Sequence, residues 1–240
     1  MINLKNVSFT YKKENILQDI SLNIESHVSI LGENGSGKST FAKLLCGLQS
    51  YEGKISIEAE NIEQLSLLDL AKTIAYVPAQ LEIYDDSMSV ENFVLLGRFA
   101  YKDRFFAYSK EDKEKTKEVL ELLHLEYLSH LSMNSLSSGQ MQLVLIAQAL
   151  TQESKIIIFD EPTANLDPKN SKIIGKYIKQ LKKKCQVILI THDLHLAKFI
   201  DSPVLFVKNK KISFQKDFFN PATLRVLYGV AFDDLVVAYA

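Results

Sequence analysis

The chain has 240 residues, 47% of them hydrophobic and 24% charged, which is enough apolar material for one substantial core. Its 28 Lys and Arg against 29 Asp and Glu leave no net positive charge of the kind on which non-specific nucleic-acid affinity rests, so nucleic acid is not an expected partner. Two cysteines, Cys46 and Cys185, indicate neither a disulfide framework nor a Cys-based zinc site, and no apolar run approaches the roughly 20 residues that span a bilayer.

In chain order, residues 2–31 read as short strands: Val7–Tyr11, a turn at Lys12–Asn15, an alternating stretch Ile16–Ile24, then Val28–Leu31. Phe41, Leu44, Leu45 and Leu48 recur at helical spacing, which predicts a helix from about Lys38 with Gly47 near its end. Ile74–Val77, Ile156–Asp160, Val187–Thr191 and Val204–Val207 are short apolar runs rich in β-branched residues, the pattern of buried strands. Helical patterns at 137–151 and 168–183 separate some of them, so the expectation is an α/β protein with a mainly parallel core sheet.

Between Val77 and Ile156 no strand is evident, and helical patterns run over Val90–Arg98 and Ser109–His124. The expected organisation is one domain, 1–240, in which 1–79 and 151–240 form the α/β core and about 80–150 form an inserted helical lobe. The basic run Lys182-Lys183-Lys184 reads as a solvated helix end, where positive charge suits the dipole.

The strongest local signal is Gly32-Glu33-Asn34-Gly35-Ser36-Gly37-Lys38-Ser39-Thr40, a G-x-x-x-x-G-K-[ST] loop between a strand and a helix. Glycines let successive N–H groups point inward, and the helix N-terminus adds partial positive charge where phosphates would sit. Lys38 can reach β- and γ-phosphates, and the Ser39 hydroxyl suits Mg²⁺. Such a loop alone leaves kinases, GTPases and many ATPases open. The apolar strand Ile156–Asp160 carries Asp160 to its C-terminal edge, a place for a metal-holding acid, and Glu161 beyond it is placed to polarise an attacking water.

Leu136-Ser137-Ser138-Gly139-Gln140 stands just before a helix and upstream of that acidic strand. The order of P-loop, L-S-x-G-Q, apolar strand with Asp-Glu, and a later His192 resembles the ATP-binding cassette (ABC) ATPases over nearly the whole chain. The resemblance implies their P-loop NTPase fold, with an antiparallel β subdomain and a helical lobe beside the core, and ATP and Mg²⁺ as cofactors. It also implies that Ser137, Ser138, Gly139 and Gln140 face the γ-phosphate of ATP on a second, identical cassette. Gln80 resembles the glutamine that touches Mg²⁺ or the attacking water, and His192 the histidine that contacts the γ-phosphate. Asn165-Leu166-Asp167 resembles the loop that crosses the dimer interface, and Tyr11 the aromatic residue that stacks on adenine. Ser138, Met141 and Gln148 depart from the family's commoner glycine and arginines, and Pro78-Ala79-Gln80 separates a proline and glutamine that usually adjoin.

Within the family, Ser89–Arg98 and the tail Asn220–Val230 resemble importer cassettes for iron-siderophore, haem and cobalamin uptake. That implies a membrane permease as partner, an external binding protein acting indirectly, and a position on the inner face of the membrane. The permease is expected to dock on Gln80–Arg104, where Tyr84, Phe99 and Phe105 line a groove. An importer of another substrate such as a metal ion, a soluble ABC ATPase and a non-hydrolytic regulator are the rival readings. The latter two fit less well, because no second cassette or coiled-coil insertion is present and Lys38, Asp160 and Glu161 all stand. His27, His124, His130 and His195 show no zinc-ligand spacing and read as structural or surface residues.

Overall fold

The computed structural model describes residues 1–81, 87–102, 107–164 and 166–229. Strands β1 (Ile2–Tyr11) and β2 (Glu14–Ile24) form an antiparallel hairpin. Tyr11 pairs with Glu14, and the two turn residues, Lys12 and Lys13, both have positive φ, 46° and 81°. That sign at both positions suits a two-residue turn following the right-handed strand twist. Strands β4 (Glu52–Ile57) and β5 (Glu60–Asn61) complete an antiparallel sheet of order β2-β1-β4-β5.

The second sheet has the order β10-β9-β3-β8-β7-β6. Its members are β3 (Val28–Gly32), β6 (Ile74–Val77), β7 (Ile156–Asp160), β8 (Gln186–Ile190), β9 (Val204–Lys208) and β10 (Lys211–Gln215). All neighbours pair in parallel except β9 and β10. Strands β3 and β7 are buried along their whole length, which is why they read as continuous apolar runs. Helix α1 (Lys38–Leu45) packs Phe41, Leu44 and Leu45 into a core shared by both sheets, against Ile2, Leu17, Ile30 and Ile158.

Helix α2 (Leu67–Thr73) precedes β6, and helices α3 (Val90–Leu95), α4 (Lys110–Leu122) and α5 (Ser138–Thr151) lie between β6 and β7. They share a core of Val90, Val94, Leu120, Met133, Val144 and Ile146. Helices α6 (Pro168–Leu181), α7 (Leu194–Ile200) and α8 (Pro221–Tyr228) follow. The α/β class, the parallel core sheet, the antiparallel sheet and the inserted helices agree with the sequence reading.

Several boundaries differ. The helix expected over Val90–Arg98 ends at Leu95 and tightens to a 3₁₀ segment, Leu96–Tyr101. Gly97 lies so close to α5 that a Cβ there would be 2.4 Å from the Gln148 carbonyl oxygen. Helix α6 stops at Leu181, and Lys182 is not a solvated end: its Nζ donates to the Ile200 and Asp201 carbonyls at 2.8 Å, capping α7. Lys183 and Lys184 are exposed. The tail forms α8 and ends on Gly229 at φ 73°, and Val230 lies outside the described residues. His27 is structural, its Nδ1 accepting from the Val187 N–H at 3.1 Å. Both cysteines are free thiols, and burial pushes Cys46 up to about 12 and Cys185 up to about 11.

Candidate functional site

Strands β3, β8 and β7 are sequential neighbours, and their C-terminal ends fall level, with Ile30 paired to Ile190 and Ile190 to Asp160. The loop after β3, the Thr191-His192 step after β8 and Asp160-Glu161 on β7 therefore meet at one edge, where open α/β sheets bind ligands. Two glycines sit at the loop's close approaches. Gly32 has φ 155°, and a Cβ there would lie 2.6 Å from the Val207 carbonyl oxygen; Gly37 has φ 103°, and its Cβ would lie 3.1 Å from Ile16 Cγ2.

Lys38 opens α1 and is buried, its Nζ donating to the Gly32 and Glu33 carbonyls at 2.9 Å each. Burial pulls its pKa down, against the opposing pull of Glu161 and Asp160. Asp160 is buried too. Its Oδ1 accepts from Ser39 Oγ at 3.0 Å and its Oδ2 from the Tyr76 hydroxyl at 2.8 Å. Burial nevertheless raises the Asp160 pKa, outweighing both donors, and burial followed by Asp160 drives that of Tyr76 upward.

Glu161 has φ 50°, an uncommon conformation for a non-glycine residue that costs about 1–3 kcal/mol and persists only when its surroundings hold it. Here they do. Its N–H donates to the Ile190 carbonyl at 2.8 Å, and its Oε2 accepts from Thr191 Oγ1 at 3.2 Å and from the His192 N–H at 3.3 Å. His192 Nδ1 lies 2.9 Å from the same oxygen, although the imidazole is itself exposed. The strand junction thus turns the Glu161 carboxylate toward the end of β8.

The structure brings together Lys38, Ser39, Asp160, Glu161 and His192 from the sequence reading. Glu33, Asn34 and Gly35 form the exposed lip of the loop, with Ser36 and Thr40 half-buried. Gln80 is exposed in the coil after β6, and Tyr11 is 57% exposed at the end of β1 with Lys12 Nζ 5.5 Å from its ring centroid. Ser137 caps α5 in a capping box: its Oγ accepts from the Gln140 N–H at 3.3 Å, and Gln140 Oε1 accepts from the Ser137 N–H at 2.9 Å. Among the described residues no hydrogen bond or ion pair links that turn to the P-loop cluster, and Ser137 and Ser138 face solvent. Asp167 caps α6, accepting from the Lys169 and Asn170 N–H groups at 2.9 and 3.0 Å, and these bonds hold its carboxyl below the usual range. Asn165, Tyr84 and Phe105 lie outside the described residues. Sequence reading missed Tyr76 and Thr191, which reach Asp160 and Glu161 only because β6, β7 and β8 are adjacent.

A glycine-rich loop leading from a central strand into a helix, beside a lysine and two carboxylates, defines a P-loop nucleotide-binding protein. A family model described as ABC transporter matches residues 17–164, more than half of the chain. A Helicobacter pylori protein described as a "probable iron chelatin transport ATP-binding protein" is 37% identical over 221 residues, 90% of this chain and 86% of that one. An inward-facing ABC transporter described as of metal-chelate type superposes with a TM-score of 0.83 at 28% identity, over 96% of this chain and 89% of that one. A dimeric bacterial ABC transporter cassette superposes with a TM-score of 0.78 at 31% identity, over 90% and 98%. The chain belongs to the ABC transporter family, as an ATP-hydrolysing, nucleotide-binding cassette. Among the described residues no helix is long and apolar enough to cross a membrane.

Proposed function

We propose that the chain is the motor of an importer, a single ATPase domain with an α/β core (1–79 and 151–240) and a helical lobe (about 80–150). It works at the inner face of the membrane, paired with a second copy of itself beneath a permease and supplied by an external binding protein. The observation that carries the reading is Glu161, held in a strained conformation beside Asp160 with its carboxylate aimed by Thr191 and His192.

The phosphates of ATP lie in the loop Gly32–Thr40, and Lys38 turns from its own loop carbonyls to the β- and γ-phosphates. Ser39 and Asp160 would hold Mg²⁺. They fit it, being one hydroxyl and one carboxylate already drawn together, both hard oxygen donors. Mg²⁺ keeps waters and substrate phosphates as its other ligands. When bound, Mg²⁺ supplies positive charge at the β- and γ-phosphate oxygens. Glu161 accepts a proton from the water whose oxygen attacks the γ-phosphorus; the bond to the bridging oxygen breaks, giving ADP and phosphate. His192 and Gln80 orient the γ-phosphate and that water. Tyr11 stacks on adenine. Ser137, Ser138, Gly139 and Gln140 close on the nucleotide of the second cassette, with Asp167 at the same interface, so ATP binding levers the permease and hydrolysis releases it. Positioning and electrostatics supply most of the catalysis.

The substrate we propose is an iron chelate (siderophore or haem) or cobalamin. The resemblance of the segments Ser89–Arg98 and Asn220–Val230, the iron chelatin relative and the metal-chelate type transporter support it. Phe99, 61% exposed, and Leu96 offer the permease an apolar contact. Proteoliposomes carrying the chain, its permease and the binding protein should accumulate a labelled iron chelate or cobalamin only with ATP on the cassette side. Uptake of a free metal ion would redirect the substrate assignment, and ATP turnover indifferent to any permease would replace the importer reading with a soluble ATPase.

A further inference from the structure

Gly139 is the second residue of α5, and its φ lies outside the left-handed range, so its backbone conformation is open to any residue. What the position refuses is a side chain. A Cβ at 139 would lie 2.7 Å from both Cγ and Nδ2 of Asn170 and 3.1 Å from its Oδ1. Gly139 is buried, while Ser137 and Ser138 beside it are exposed, so this one residue of the turn faces inward onto α6.

Asn170 cannot easily yield. Its Nδ2 donates to Asp167 Oδ2 at 2.6 Å, and its own N–H donates to Asp167 Oδ1 at 3.0 Å. Swinging the carboxamide away breaks the first of these bonds and loosens the carboxylate that caps α6. The atoms that a Cβ would meet are the terminal carboxamide of that side chain, and the bond to Asp167 is what holds this end in place between the turn that starts α5 and the loop that starts α6.

We infer that Asn170 is a positioning residue: its carboxamide, pinned by Asp167, sets the height of the Ser137–Gly139 turn relative to the start of α6. The contact with Asn170, inside the chain, is by itself enough to disfavour a side chain at 139. Asp167 and the turn then move as one unit when two cassettes close. The role in closure rests on the proposed nucleotide sandwich, whereas the contact between Gly139 and Asn170 does not.

A double-mutant cycle separates the two. In a Glu161→Gln background, chosen to retain ATP, four chains are compared: the parent, Gly139→Ala, Asn170→Ala and the double variant. Melting is measured without nucleotide and ATP-driven dimerisation by light scattering. Gly139→Ala should lower the melting temperature and weaken dimerisation roughly tenfold or more. Adding Asn170→Ala should return the double variant to the level of Asn170→Ala alone in both readouts. Should Gly139→Ala fail to fold, recovery of folding in the double variant is the expected result. Additive losses, or a double variant as impaired as Gly139→Ala, would overturn the inference. A parent that never dimerises with ATP would sink the sandwich reading instead, while the melting cycle still decides the contact.

Discussion

In the helical lobe, Arg98 Nε donates to Asp112 at 2.9 Å, and its Nη1 donates to Glu153 at 2.7 Å and to the Thr151 carbonyl at 3.1 Å; at the sheet edge, Lys38 Nζ donates, among the described residues, to its own loop's carbonyls. Burial opposes the charge in both places. In the lobe the mutual bonds outweigh it, so Asp112 and Glu153 are held below the usual carboxylate range and Arg98 above its own. At the site burial wins, raising Asp160 and lowering Lys38. The lobe's charges form a closed set that holds α4 and α5 together. Those at the site form an open set, costly in the free protein and completed when a charged ligand arrives.

The contrast breaks most visibly at Arg98. Arg98→Met should leave the buried Asp112 without its partner and cost about 3 kcal/mol or more in urea unfolding, with the lobe melting first. In the parent, Asp112 contributes stability that is fully present above the unfolded carboxylate value of about 4 and is lost as pH falls through its depressed folded value. The deficit of Arg98→Met should therefore be largest at neutral pH and shrink on acidification.

Asp160 should show the opposite sign. Its raised pKa means that its contribution to stability is present below the unfolded value of about 4 and is lost as pH rises through the folded one. Asp160→Asn should raise the nucleotide-free melting temperature by about 2–4 °C at neutral pH, abolish ATP turnover, and lose its stability advantage in acid. The smallest effect is expected at Tyr11, which is exposed and outside the charged cluster. Tyr11→Ala should weaken ATP binding by roughly fivefold, about 1 kcal/mol of stacking, with kcat unchanged.

How much of this was legible depended on distance along the chain. The P-loop, the Asp160-Glu161 step and the capped turn at Ser137 are contiguous, and their chemistry follows from residue type and neighbours. Tyr76 was not legible as a partner of Asp160, 84 residues away, nor Thr191 as one of Glu161, 30 residues away, because only sheet order brings them together. Arg98 entered the sequence reading only as the end of the pattern Val90–Arg98; it is buried, and its partners lie 14 and 55 residues off. Strand β4 was overlooked because its burial runs as three exposed and then three buried positions, with no alternation.

The central claim is that Glu161 completes a site otherwise ready for ATP, and the direct test is Mg²⁺-dependent ATP turnover of the purified chain beside Glu161→Gln. The parent should hydrolyse ATP and accelerate with its permease, whereas the variant should bind ATP with parental affinity and turn over about 10²–10⁴-fold more slowly. Near-parental turnover in Glu161→Gln would contradict the assignment of the base and with it this account of the site.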